Sequence, residues 1–196
     1  MIETPAARTR GASRRALWLV VVAIAGCAGP RPAPPAAEAT TTVIVVRHAE
    51  KAAEPKGDPP LTEAGAARAQ RLVEALSGMP VSAILSTDYA RTRSTAAPLA
   101  ARLGLTTQLV DARAPDHPKQ VAQGVLARHR GQTVVVVGHS NTVPDLVAEL
   151  GAPKPKEICD QEYDNLFIVQ VPARGPATVE ARKYGPPSVD DSCRGK

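Results

Sequence analysis

A chain of 196 residues, 43% hydrophobic and without an internal repeat, holds one domain with a sizeable core and excludes a solenoid or a pair of domains. Its formal net charge of +5 does not point to nucleic acid. Arg8, Arg10, Arg14 and Arg15 crowd the N-terminus beside Glu3 alone, and without residues 1–26 twenty basic side chains face eighteen acidic ones, so no nucleic-acid partner is expected.

Residues 1–27 read as a targeting segment: a basic start, an apolar run from Ala16 to Gly26 too short to span a bilayer, then Cys27. The ending IAGC resembles the lipobox of bacterial lipoproteins, in which the cysteine carries lipid, and Ala28 in place of aspartate favours outer-membrane sorting under that resemblance. SRRALW from Ser13 loosely resembles a twin-arginine export signal. The expectation is an exported protein, lipid-anchored to the cell envelope through Cys27 at the outer membrane and facing the periplasm. Residues 28–41 form a Pro/Ala-rich tether that extends at about 3.1 Å per residue, roughly 40 Å in all. A domain over residues 42–185 and a C-terminal tail over 186–196 complete the chain. Cys159 and Cys193, an even pair in an oxidising compartment, suggest a disulfide that ties the tail to the domain; two free buried thiols are the alternative.

The folded part alternates short apolar runs with longer amphipathic ones. TVIVVRH reads as a buried strand, and LTEAGAARAQRLVEALSG as a helix with Ala69, Leu72, Val73 and Leu76 on one face, Thr62 as N-cap and Gly78 as stop. VSAILS is the second strand, and TRSTAAPLAARLG the second helix, which Pro98 is expected to kink or delay. TTQLV is a third, weaker strand and HPKQVAQGVLARHRG a third helix. TVVVVGHS is the most strand-like stretch and TVPDLVAELG a short helix, while NLFIVQV and TVEARKY follow without a helix between them, as an edge pair would. The fold class is α/β: a three-layer sandwich with a mostly parallel central sheet, helices on both faces and an antiparallel edge.

Ligands of such sheets bind outside the carboxyl ends of the strands. Arg47 and His48 end the first strand and His139 ends the strand TVVVVGH. Arg91 and Arg93 follow the second strand at the same rim. Arginine suits a phosphate there, since its planar fork matches two oxygens and stays charged. Ser140 stands where the nucleophile elbow of a serine hydrolase would be, but Thr142 replaces the glycine that elbow needs and no histidine follows.

From about Val43 to Val171 the chain resembles the histidine phosphatase superfamily, also called phosphoglycerate-mutase-like. RHAEK matches its first signature, STDYARTRSTA the segment with the second arginine, VVVVGHSNT the second histidine, and DPPLTEAG the opening of the first helix. The resemblance implies a metal-independent phosphomonoesterase acting through a phosphohistidine intermediate on an unidentified phosphorylated substrate, whether a small molecule or an envelope or protein phosphate. It makes His48 the nucleophile and Arg47, Arg91 and His139 the phosphoryl pocket, with Arg93 left on the surface. Family members also protonate the leaving oxygen with a carboxylic acid. Asp116 falls at the expected spacing after the third strand, Asp111 is second and Glu50 third, and a solvated loop aspartate is the alternative for Asp111 and Asp116. No cofactor is implied and no metal, because the histidines lack an accompanying carboxylate ligand and the arginines repel cations. Ala49 replaces the glycine of the strict signature, and the mutases' tryptophan-asparagine segment is absent. With no room for a cap before the second histidine, a small, open phosphatase fits better than a mutase. The competing expectation is a non-catalytic phosphate-recognition module of the cell envelope.

Overall fold

The computed structural model describes Met1 and residues 39–188. The targeting segment, the tether up to residue 38 and the tail from residue 189 lie outside the described residues, and with them Cys27 and Cys193. Chain contacts separate a unit Met1–Ala33 from a unit Pro34–Lys196, and every element below belongs to the second.

The elements run β1 Thr41–Arg47, α1 Glu63–Ala75, β2 Val81–Thr87, α2 Ala90–Leu103, β3 Thr107–Val110, α3 His117–Arg128, β4 Thr133–Gly138, α4 Val143–Glu149, β5 Asn165–Val171 and β6 Thr178–Lys183. The sheet order is β3-β2-β4-β1-β5-β6. β3, β2, β4 and β1 are parallel neighbours, whereas β5 pairs antiparallel with both β1 and β6. This is the α/β sandwich with a mostly parallel sheet and an antiparallel edge. β1 shows why both faces must be covered: Val43 and Val45 pack with Val121, Val125 and Leu146 of α3 and α4, while Ile44 and Val46 pack with Leu72 of α1 and Leu99 of α2. A strand buried on both sides reads as an unbroken apolar run.

Local chemistry sets the helix ends. Thr62 caps α1 by accepting from the Gly65 N–H at 3.1 Å. A side chain at Gly65 would collide with the Glu50 carbonyl, so this glycine lets α1 start against the end of β1. The first N–H of α2, on Ala90, is satisfied from a distance by the Asp58 carboxylate at 2.8 and 3.0 Å. Pro98 does not delay α2, which begins at Ala90 and runs past it to Leu103, ending on Gly104 in the left-handed conformation. Among the described residues no helix is long and apolar enough to cross a membrane.

Candidate active site

The register of the sheet builds the site. β1 and β4 pair with Arg47 opposite Gly138, and the His48 N–H donates to the Gly138 carbonyl at 2.9 Å, so the two residues that follow these strands, His48 and His139, become neighbours. Their ring centroids are 5.4 Å apart. β2 is the other neighbour of β4, and its continuation into α2 brings Arg91 to the same rim. Arg47, His48, Arg91 and His139 thus line one cleft of about 320 Å³, joined by Lys51, Tyr89, Ala112, Ser140, Asn141, Thr142 and Asp160.

The nucleophile candidate is held through the residue that follows it. Its Nδ1 lies 2.8 Å from the Ala49 carbonyl. A carbonyl only accepts, so Nδ1 carries the proton and Nε2 keeps its lone pair. The Ala49 N–H in turn donates to Thr95 Oγ1 at 2.9 Å, and the Thr95 hydroxyl donates to the Arg91 carbonyl at 2.8 Å, which binds β1 to α2 just behind the cleft. Burial, together with the positive Arg47 and Arg91 and the neighbouring His139 ring, pushes His48 down to about 3. The same burial, with Arg91, His117 and Arg47, pushes His139 down to about 4. Both rings are therefore neutral at pH 7 in the free cleft.

Each arginine rests on a tyrosine. The Arg47 guanidinium lies 4.3 Å from the Tyr163 ring centroid and that of Arg91 4.2 Å from Tyr89. Arg47 Nη1 donates to the carbonyls of Cys159 (2.7 Å) and Glu162 (2.9 Å), which fixes the fork. Its Nε and that of Arg91 are buried without a hydrogen-bond partner among the described residues. Burial lowers Arg47 from the usual arginine range, opposed by Tyr163, Asp160 and Glu162. Cys159 is disulfide-bonded, whereas Cys27 and Cys193 both lie outside the described residues, and so does the expected pairing with Cys193.

The three acids named from sequence do not line the cleft. Asp116 sits in the left-handed conformation (φ 52°) at the start of α3, exposed to solvent, because the short turn from β3 must reverse there to launch the helix. Asp111 accepts from the Arg113 N–H at 2.9 Å, and Glu50 is taken by Arg68. The carboxylate that does line it is Asp160, in the loop between α4 and β5. Nothing in the spacing of the sequence motifs points to that residue. Arg93 is exposed. The threonines of STDYARTRST were also missed; Thr92 and Thr95, three apart on one face of α2, carried the signal.

Residues 43–113 match the family model of the histidine phosphatase superfamily (branch 1). This segment carries Arg47, His48 and Arg91, and the sheet register adds His139 from outside it. The structure of the protein histidine phosphatase SixA complexed with tungstate superposes with a TM-score of 0.61 at 21% identity, covering 72% of this chain and 96% of SixA. The fold is that of the histidine phosphatases. YhfR of Bacillus stearothermophilus shares it at TM-score 0.53 and 20% identity, over 73% of this chain and 96% of its own. So does the mycobacterial glucosyl-3-phosphoglycerate phosphatase, at TM-score 0.53 and 14% identity over 74% and 98%. No curated protein matches the sequence. Within this histidine phosphatase fold, the cleft lies at the carboxyl ends of β1, β2 and β4, where the parallel strands open to ligand.

Proposed function

We propose that the protein is a metal-independent phosphatase that works through a phosphorylated His48. The observation that carries this is the locked tautomer: with its Nδ1 proton on the Ala49 carbonyl, His48 presents the Nε2 lone pair at a strand end flanked by Arg47, Arg91 and His139. Nε2 attacks phosphorus, the P–N bond forms and the bond from phosphorus to the leaving oxygen breaks. The arginines that line the cleft hold the phosphoryl oxygens while charge shifts between them. Asp160 is the carboxylate in place to give the leaving oxygen its proton, and it takes one back from the water that cleaves the P–N bond and releases phosphate.

The likeness to a protein histidine phosphatase supports a substrate of the phosphorylated-protein kind, and the likeness to a sugar phosphate phosphatase supports a small phosphorylated one. Hydrolysis of an aryl phosphate by the full chain, with chelator present, tests the reading. The His48→Ala variant should lose turnover while its thermal melt stays cooperative, and turnover near wild type in that variant would sink the mechanism. Asp160→Asn should slow alkyl phosphates more than the aryl ester, whose leaving group needs no proton. A folded wild type that binds phosphate and hydrolyses none would favour a recognition module.

The reading extends to location. A lipid on Cys27 would hold the domain at the cell envelope, leaving Cys193 to pair with Cys159. Cys27→Ser should move the protein from the membrane fraction to the soluble one, and a variant that still sediments with membranes would refute the anchor.

A further inference from the structure

Behind His139 lies a chain of hydroxyls that the proposed mechanism does not use. Thr87 closes β2 and Thr92 sits in the first turn of α2; both are buried, at 1% and 0% exposure, and neither lines the cleft. Thr92 Oγ1 is 2.9 Å from the Tyr89 carbonyl and 3.1 Å from that of Thr87. Carbonyls only accept, and with the Thr92 proton on one of them its oxygen is free to accept. The hydroxyl of Thr87, 2.8 Å away, is then the donor to it. With its only proton committed, Thr87 can meet His139 Nε2, at 3.0 Å, only as an acceptor. Nδ1 of His139 has no partner among the described residues and is not among the buried unpaired atoms, which leaves it open to the cleft that His139 lines.

We propose that Thr87 and Thr92 are positioning residues that fix His139 as its Nε2–H tautomer and aim an unprotonated Nδ1 at the phosphoryl group. The inference rests on the phosphoryl-transfer reading of the cleft. It assigns the form in which substrate arrives: a monoester monoanion, whose P–OH donates to Nδ1. When that proton passes from oxygen to nitrogen, the imidazolium Nδ1–H donates back to the same oxygen, and the dianion lies between Arg47 and Arg91. One proton has moved and no other bond has changed. The opposite tautomer would face the monoanion's P–OH with a second N–H donor, and it would need the Thr87 proton on Nε2, leaving the Thr92 oxygen without its donor.

The test reads the tautomer directly, by nitrogen-15 correlation of the imidazole rings of the full-length protein at pH 7, with His139 assigned from a His139→Gln variant. The wild type should show a protonated Nε2 and a bare Nδ1. Thr92→Val frees the Thr87 proton to turn toward Nε2 and should invert that pattern, while Thr92→Ser should keep it. A wild type with the proton on Nδ1, or a folded Thr92→Val protein with an unchanged pattern, would overturn the proposal, and the wild-type spectrum alone decides should the variant fail to fold. With an aryl phosphate, Thr87→Val should lose about tenfold or more in kcat/KM, with Thr87→Ser within about twofold of wild type. Equal loss in both variants would mean a packing role and would also overturn it. Since the spectra need no substrate, they separate a failure of this assignment from a failure of the phosphatase reading.

Discussion

His48 and His139 are costly residues to bury, and their cost is visible in acid. An ordinary histidine titrates near 6.5, whereas His48 is held at about 3 and His139 at about 4. Between those values the unfolded chain binds protons that the native rings refuse. Native stability is therefore full above pH 6.5, falls as the pH drops toward 4, and stops falling on this account below about 3. Each unit of separation corresponds to about 1.4 kcal/mol. Melting temperatures measured from pH 7 to pH 4 should fall for the wild type and fall less steeply for His48→Gln. Parallel slopes would show that His48 charges freely in the native state. The low value also suits the proposed chemistry, since a neutral His48 keeps the lone pair that a nucleophile needs across that range.

Close backbone approach and shared strand ends govern the elements. α1 starts where it does because the Thr62 N–H and hydroxyl both reach the Glu50 carbonyl, at 2.9 and 3.3 Å, and Gly65 passes over the same carbonyl with no side chain to obstruct it. Gly65→Ala puts a methyl group into backbone that cannot yield without moving the end of β1. The expected loss is about 2 kcal/mol or more, read as a lower urea midpoint at unchanged slope. An unchanged midpoint would mean that α1 can shift without disturbing Glu50. α2 is tied to the same region twice, by Asp58 at its first N–H and by Thr95 to Ala49. These ties explain why Pro98 does not decide where α2 begins: the satisfied start lies well upstream of it.

Across the whole molecule, Arg68 joins three distant parts of the chain. Only 3% exposed, it makes a two-pronged pair with Glu50 at 2.8 to 3.0 Å and donates to the carbonyls of Tyr184 and Pro186, so the end of β1, α1 and the segment after β6 meet on one guanidinium. Removing the carboxylate leaves a buried cation with carbonyls alone. Glu50→Gln should cost about 3 kcal/mol in chemical denaturation. Turnover per folded molecule should survive, in contrast to Asp160→Asn. A stable Glu50→Gln protein without turnover would return the acid role to Glu50.

The strand and helix order, both faces of β1, the Thr62 cap and the placing of Arg47, His48, Arg91 and His139 at one rim of the sheet were legible in the sequence, because apolar periodicity and capping act over a few residues. The acid was not. Asp116 and Asp160 look alike as loop aspartates, and which of them faces the cleft depends on how the loop from α4 to β5 crosses over the end of β1 to meet Arg47. The hydroxyl chain behind His139 was equally hidden, since Thr87 and Thr92 matter only once β2 is set beside β4. Local patterning by itself determined which residues reach the rim; the tertiary structure decided which of them meet, because hydrogen bonds and charge act through distances in space that sequence spacing does not fix.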